Sequence, residues 1–156
     1  MIERDQTSGS RRDERRRTLR VRIPPNPRFG KTVRDEVVSF AHGAHISRQD
    51  LDDFVFAVGE ALANAIEHSA SEDVIEIRCQ IEPDKILATI IDSGMGFEPN
   101  VTAPLPDEFS EHGRGLPIMR RCADIFSVRS VPGRGTAVVL GRYLDPPQPE
   151  ETSAKS

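Results

Sequence analysis

The amino-acid sequence predicts an α+β protein: a two-layer α/β sandwich with a mixed, mainly antiparallel sheet and its helices on one face. Two kinds of stretch support this class. Some carry apolar side chains at helical spacing, and others alternate polar and apolar residues as a half-buried strand does. Their order is strand, helix, helix, strand, strand, long loop, helix, strand, strand. That order is typical of helices packed against one face of such a sheet.

The composition fits one soluble domain with polar ends. The chain has 156 residues, of which 37% are apolar and 29% are charged. Its net charge of -4 gives no reason to expect nucleic acid or an anionic membrane as a partner. No apolar run has membrane-spanning length, and no signal peptide is visible. Cys79 and Cys122 have neither metal nor redox spacing, so we expect two buried thiols in a reducing, cytoplasmic compartment.

The two ends of the chain have the composition of tails. Residues 1–17 are rich in arginine and lack apolar periodicity, and residues 145–156 are rich in proline and polar side chains. Neither composition can bury enough apolar surface to hold a fixed conformation. We therefore expect a disordered basic arm, a single domain over residues 18–144 and a disordered C-terminal tail.

Three elements are predicted in the first half of the domain. Residues 18–23 alternate polar and apolar side chains before two prolines, which predicts a half-buried strand. Residues 29–41 carry apolar side chains at helical spacing before Gly43. Ser47 then begins a longer helix that runs to about Ser69, because a serine followed three residues later by Asp50 is a variant of the capping box.

Beyond that helix the pattern changes from helical to strand-like. Residues 73–82 and 85–92 are predicted strands on either side of a turn, and the second is the more buried. Residues 93–114 have little periodicity, and so long a loop in a compact domain indicates a functional lid or a disordered excursion. A helix and two strands are predicted to follow, over residues 115–123, 125–131 and 136–144.

The long helix carries a polar ridge. Glu60, Asn64 and His68 are four residues apart and therefore share one face. The opposite face is apolar, with Leu51, Phe54, Val55, Val58, Leu62, Ala65 and Ile66. The ridge is flanked by mostly small side chains that would let a ligand lie against the helix, at Phe56, Ala57, Ala61 and Ala63. A carboxylate and a carboxamide one turn apart suit a hydrated cation and a reacting hydroxyl.

A first glycine cluster lies at the end of the buried strand. Gly94 and Gly96 follow Asp92 closely, and glycine there permits a sharp turn or the close approach of a ligand. An aspartate at that position can accept a hydrogen bond from an exocyclic amine such as adenine N6. By itself the cluster is better explained as a loop with a turn-forming aspartate.

Two further glycine clusters follow. Gly113, Arg114 and Gly115 precede a helix, where free N–H groups and an arginine could hold phosphate oxygens. A mobile surface loop explains that cluster about as well. Gly135 and Thr136 follow the turn between the last two strands, which alone indicates a hairpin. The Rossmann and P-loop motifs and the eukaryotic kinase signatures are absent.

The combination is much more specific than its parts. Its first group, Glu60-x-x-x-Asn64 with Ala65 and His68, is followed in order by the three glycine clusters described above. This series resembles the N box and the three glycine boxes of the GHKL, or Bergerat-fold, ATPases. Within that superfamily, the runs around Glu60 and Gly115 resemble the RsbW-type anti-sigma factor serine kinases. The resemblance extends over about residues 19–140.

The resemblance implies a role for each matching residue. Asn64 matches the Mg²⁺-binding asparagine, and Glu60 matches the acidic residue proposed as general base for the attacking hydroxyl. Asp92 matches the carboxylate that reads adenine, with Thr136 near the same base. The remaining glycine-box positions would shape the adenosine site and the hinge of a lid over the phosphates: Gly94, Gly96, Gly113, Arg114 and Gly115. For His68 a structural and a functional role stay open, and Glu67 lies off the ridge.

The family's behaviour implies the partners. Its members transfer the γ-phosphate of ATP, with Mg²⁺, to a serine or threonine of a STAS-domain anti-anti-sigma protein, and many sequester a sigma factor as homodimers. Two alternatives remain: an ATP-binding anti-sigma module without kinase activity, and a switch kinase that binds no sigma factor. The presence of both Glu60 and Asn64 favours an enzyme. A histidine-kinase catalytic module is disfavoured, because no phosphoacceptor helix pair precedes residue 18.

Overall fold

A computed structural model describes residues 2–8, 16–70, 72–93, 115–131 and 133–145. Six strands form one sheet: β1 (Glu3–Ser8), β2 (Arg17–Ile23), β3 (Ile75–Ile81), β4 (Lys85–Asp92), β5 (Ile125–Val131) and β6 (Gly135–Tyr143). Three α-helices and a 3-10 helix at Pro27–Phe29 complete the described fold: the α-helices are α1 (Gly30–Ala41), α2 (Arg48–His68) and α3 (Gly115–Cys122). No helix in these ranges is long and apolar enough to cross a membrane.

The sheet has the spatial order β1-β2-β3-β4-β6-β5, and each of these neighbouring pairs is antiparallel. Alternate side chains of the central strands are buried on the face that meets the helices, as in Ile86, Ala88 and Ile90 of β4. α2 contacts both β4 and β6, and α1 and α3 lie against α2. The predicted α+β sandwich is therefore confirmed, with strictly antiparallel pairing among the described strands.

The elements predicted from periodicity are found close to their expected positions. The strands predicted over residues 85–92 and 125–131 have the same bounds as β4 and β5. The other predicted elements differ by one or two residues at an end, where a strand or helix frays into its turn. Ser47 caps α2 as expected, since its Oγ accepts a hydrogen bond from the Asp50 N–H at 3.1 Å.

The expectation of a disordered arm over residues 1–17 is wrong for β1. This strand pairs with β2 over its full length, from Glu3 opposite Arg22 to Ser8 opposite Arg17. Its residues from Glu3 to Gln6 are exposed. Because none of them is buried, the sequence shows no alternation of polar and apolar residues there. Backbone pairing with β2 holds it instead, assisted by an ion pair of 2.7 Å between Arg4 Nη1 and Glu36 Oε1 on α1.

Candidate functional site

Helix α2 presents the carboxylate and the carboxamide of the polar ridge. Glu60 and Asn64 are both half-buried, whereas Glu67 and His68 are exposed at the end of the helix. Residues four apart on a helix lie one above the other on the same face, so the two half-buried groups are neighbours. α2 therefore offers one carboxylate and one carboxamide together at the boundary between core and solvent.

The apolar face of α2 is wider than the sequence indicated. Ala57 and Ala61 are at most 1% exposed and belong to the hydrophobic core, not to a ligand-facing floor. The reason is that α2 packs against β4 and β6 below it and against two helices beside it, so its buried surface exceeds a single stripe. Of the four flanking residues, only Phe56 and Ala63 are exposed.

Strands β4 and β6 bring the second half of the candidate site together. Asp92 is the last residue of β4 and is 7% exposed. Among the described residues it is the one charged side chain that is buried. Its register partner on β6 is Thr136. Thr136 Oγ1 lies 2.9 Å from Ser130 Oγ on β5, so a hydroxyl pair stands beside the carboxylate's strand. A buried carboxylate next to oriented hydroxyls suits recognition of a hydrogen-bond donor such as an amine.

Gly135 makes this arrangement possible. Its φ of +109° is a conformation that L side chains rarely adopt, and a Cβ at this position would lie 2.1 Å from the Asp92 carbonyl oxygen. The backbone that leads into β6 therefore passes directly against the backbone at the end of β4. The sequence indicated a hairpin between β5 and β6, which is confirmed. The close approach to Asp92 was not foreseen, although a glycine at the first position of a strand is the signal for it.

The remaining glycine-box residues are only partly within the described chain. Gly115 is the first residue of α3, as the sequence predicted. Gly94, Gly96, Gly113 and Arg114 lie outside the described residues. The described part of the site therefore consists of the α2 pair and the β4–β6 end.

Cys122 is the last residue of α3, and charged side chains of α2 influence its thiol. Its thiol pKa is raised by burial and by the negative charges of Asp53 and Glu60, while the Arg142 guanidinium opposes the shift. Cys122 therefore lies within electrostatic reach of the candidate carboxylate on α2. The expectation of a buried thiol is wrong for Cys122, because this residue at the end of α3 is only half-buried.

A cleft of about 690 Å³ opens beside the end of β4. Its walls include Ile91, Asp92 and Ser93 together with Arg22 and Asp73 from the neighbouring strand ends. Glu60 and Asn64 do not line it, so among the described site residues this cleft reaches Asp92 alone. In the described ranges, no group of three or more His, Cys, Asp or Glu side chains could hold a metal ion.

The described chain has the features expected of a nucleotide-binding ATPase domain of the α+β class: an antiparallel sheet with its helices on one face, a carboxylate and a carboxamide on α2, and a buried aspartate at the end of β4. The model of the histidine kinase-like ATPase domain family matches residues 23–142 of this chain, and the chain belongs to that family. The resemblance drawn from the N box and glycine boxes is confirmed.

Similar proteins of known name are bacterial regulators. The chain is 33% identical over 128 residues to the anti-sigma F factor of Caldanaerobacter subterraneus subsp. tengcongensis, covering 76% of this chain and 86% of that protein. It is 25% identical over 139 residues to the serine-protein kinase RsbW of Bacillus subtilis, covering 81% and 86% of the two chains. The histidine kinase domain of the Erythrobacter litoralis EL346 blue-light activated histidine kinase shares the fold, with a TM-score of 0.52 at 19% identity. That match covers 78% of this chain and 62% of the other.

Proposed function

We propose that this chain is an ATP-dependent protein-serine/threonine kinase and anti-sigma factor. In this proposal it phosphorylates a STAS-domain anti-anti-sigma partner and sequesters a sigma factor, and it acts in the cytoplasm as a homodimer. The kinase assignment is supported by the relatives named serine-protein kinase RsbW, and the anti-sigma assignment by those named anti-sigma F factor. The observation that carries the proposal is the pairing of Glu60 and Asn64 on α2 in a chain of this ATPase family.

Each described residue has a role that its position permits. Asp92 accepts a hydrogen bond from the adenine amine at the end of β4, and Thr136 on the adjacent strand supports the same base. Asn64 offers its carbonyl oxygen to Mg²⁺, which when bound neutralises charge on the phosphates. The family resemblance assigns Gly94, Gly96, Gly113, Arg114 and Gly115, most of them outside the described residues, to the surroundings of the adenosine and phosphates.

Glu60 acts on the acceptor. Its carboxylate, one turn from Asn64, orients the incoming serine or threonine hydroxyl and accepts its proton as the phosphoryl group is transferred. Phosphoryl transfer depends mainly on positioning and charge neutralisation, so one carboxylate and one metal site are a sufficient catalytic set. Half-burial of Glu60 suits this role, because the group is reachable by a protein substrate and partly shielded from water.

Substitution of single residues separates these roles. We expect Glu60→Gln to bind Mg-ATP with wild-type affinity and to lose phosphotransfer to the cognate STAS partner by roughly a hundredfold or more. Asn64→Ala and Asp92→Asn should instead weaken nucleotide binding, as measured by calorimetry. Glu67→Gln is the matched control, since it changes an exposed glutamate on the same helix and should leave both properties intact. Wild-type transfer by Glu60→Gln would remove Glu60 from catalysis, and unchanged affinity in both other variants would remove the nucleotide site.

Partner assignments need a separate measurement. A pull-down with the full chain, with and without ATP, followed by a radiolabelled transfer assay on the recovered proteins, tests the kinase and anti-sigma roles together. Recovery of a sigma factor without any phosphorylated protein would favour a non-catalytic binding module. Phosphorylation of a small partner without recovery of a sigma factor would favour a switch kinase.

A further inference from the structure

Arg142, near the end of β6, joins three elements that are far apart in sequence. Its Nη2 forms an ion pair with Asp50 Oδ1 in the first turn of α2. Its Nη1 donates a hydrogen bond of 3.3 Å to the carbonyl oxygen of Cys122, the last residue of α3. Its Nε lies 3.5 Å from Asp124 Oδ2, at the entry to β5. The Arg142 side chain is 15% exposed, whereas those of Asp50 and Asp124 are 29% and 38% exposed.

These contacts fix the direction of α3. The last carbonyl groups of a helix lack partners within it, and an arginine that binds one of them anchors that end. Because one guanidinium contacts both the end of α3 and the first turn of α2, these two helix ends are adjacent. α3 also lies along α2. The two helices are therefore antiparallel.

The opposite end of α3 then lies along the part of α2 that carries the candidate site. α3 begins at Gly115. Met119, completely buried, anchors the middle of the helix in the core. α3 is in contact with α2, and the Glu60 charge is the smallest of the named causes of the raised pKa of Cys122. A shift or rotation of α3 would therefore move its first residues, from Gly115 on, relative to Glu60 and Asn64.

We propose that Arg142 is a positioning residue for phosphoryl transfer: with Asp50 and Asp124 it clamps the end of α3 so that the start of this helix is held in place over the site on α2. This inference rests on the proposed kinase function. Arginine suits the task, because its planar fork can serve a carbonyl oxygen and two carboxylates at once, which a lysine ammonium cannot do with the same geometry. The ion pair with Asp50 orients the guanidinium toward the Cys122 carbonyl, whereas Nε makes no hydrogen bond to a described residue and meets Asp124 only as an ion pair at 3.5 Å.

The test compares Arg142→Gln, Arg142→Lys and Asp50→Asn in the full chain. Arg129→Gln is the matched control, because it removes an exposed arginine from the adjacent strand β5. Steady-state transfer is measured well below the unfolding midpoint of each variant. We expect the KM for ATP to rise roughly tenfold in Arg142→Gln and kcat to fall, since small displacements of positioning elements cost up to about a hundredfold in rate. Arg142→Lys should recover only part of this loss.

A second readout distinguishes positioning from general stability. Amide hydrogen exchange in Arg142→Gln should accelerate in α3 while α1 keeps its wild-type protection. The double variant of Asp50→Asn with Arg142→Gln should be no worse than Arg142→Gln alone, because both act through one contact network. Wild-type KM and kcat in Arg142→Gln would overturn the proposal. Uniformly faster exchange across α1 and α3, with kinetics like those of Arg129→Gln, would overturn it as well.

Failure of the clamp and failure of the proposed function give different results. If the wild-type chain binds ATP but phosphorylates no protein, the kinase assignment fails, and calorimetric ATP affinity of the Arg142 variants replaces the KM comparison. If the wild-type chain does not bind ATP, the proposed function fails entirely. The exchange pattern of α3 then decides whether Arg142 clamps this helix.

Discussion

The close contact between Gly135 and the end of β4 leads to a quantitative prediction. We expect Gly135→Ala to destabilise the protein and to weaken ATP binding, because the added methyl group would lie 2.1 Å from the Asp92 carbonyl oxygen and 2.8 Å from Ser93 Cα. Real Cβ atoms do not approach other heavy atoms this closely, and both contacts are with backbone that cannot rotate away. β4 and β6 would have to separate at the Asp92–Thr136 pair.

The size of the effect follows from two costs. An alanine forced into a positive-φ conformation loses about 1–2 kcal/mol. The strands must also move apart to relieve the overlap with backbone, which costs about a further 1–3 kcal/mol, as in overpacked cores. Gly133→Ala is the matched control, because Gly133 has a φ of +76° but no atom within 4 Å of the added methyl group. It should carry only the first cost.

Urea unfolding of both variants gives the free energies of unfolding, and calorimetry gives the ATP affinities. The reasoning requires Gly135→Ala to be the less stable of the two and to be the variant with the greater loss of ATP affinity. Equal free energies of unfolding in the two variants would refute the steric argument. A destabilised Gly135→Ala variant that binds ATP normally would separate Asp92 from the nucleotide.

Three further predictions concern charge, thiols and capping. Burial raises the pKa of Glu76, but hydrogen bonds from Arg22 and Arg78 and nearby arginine charge lower it by more, so the folded-state pKa lies below its usual value of about 4.5. The stability that wild type has over Glu76→Gln should therefore be full at pH 7 and vanish as the pH falls well below that value, and a pH-independent difference in urea unfolding would contradict this. Burial raises the pKa of Cys79 to about 12, so a thiol reagent at pH 8 should label Cys79 only after denaturation, and labelling of the native protein at this residue would disprove its burial. Ser47→Ala should lower the free energy of unfolding by about 1 kcal/mol, and an unchanged urea midpoint would argue against the capping bond at the start of α2.

The sequence predicted those parts of the fold whose burial leaves a periodic signal. β4 alternates between buried Ile86, Ala88 and Ile90 and less buried neighbours, and its bounds were predicted without error. β1 leaves no such signal, because its exposed polar residues are held by backbone pairing. Ala57 and Ala61 were placed on the wrong face, because a helix enclosed by a sheet and two helices buries more than one stripe.

The candidate site likewise has a part that local sequence spacing predicts and a part that it does not. Glu60 and Asn64 share a face through helical spacing alone, so a local pattern predicts their proximity. Asp92 and Thr136 are paired across β4 and β6, a contact that only the resemblance implied and that strand order establishes. The network around Arg142 joins residues as distant as Asp50, and single-sequence periodicity carries no information about such contacts.

The polar edge strand β1 also bears on how this protein behaves at high concentration. A sheet edge presents unpaired N–H and C=O groups, which can recruit a strand from another molecule and begin aggregation. β1 occupies the outer edge of β2 and places Glu3, Arg4 and Asp5 there as exposed charges. Adding another strand to β1 would remove water from these charges, which costs free energy. β1 therefore opposes aggregation at this edge of the sheet. A shortened chain without residues 2–8 would expose β2, with its buried Leu19, Val21 and Ile23, as a new and more apolar edge.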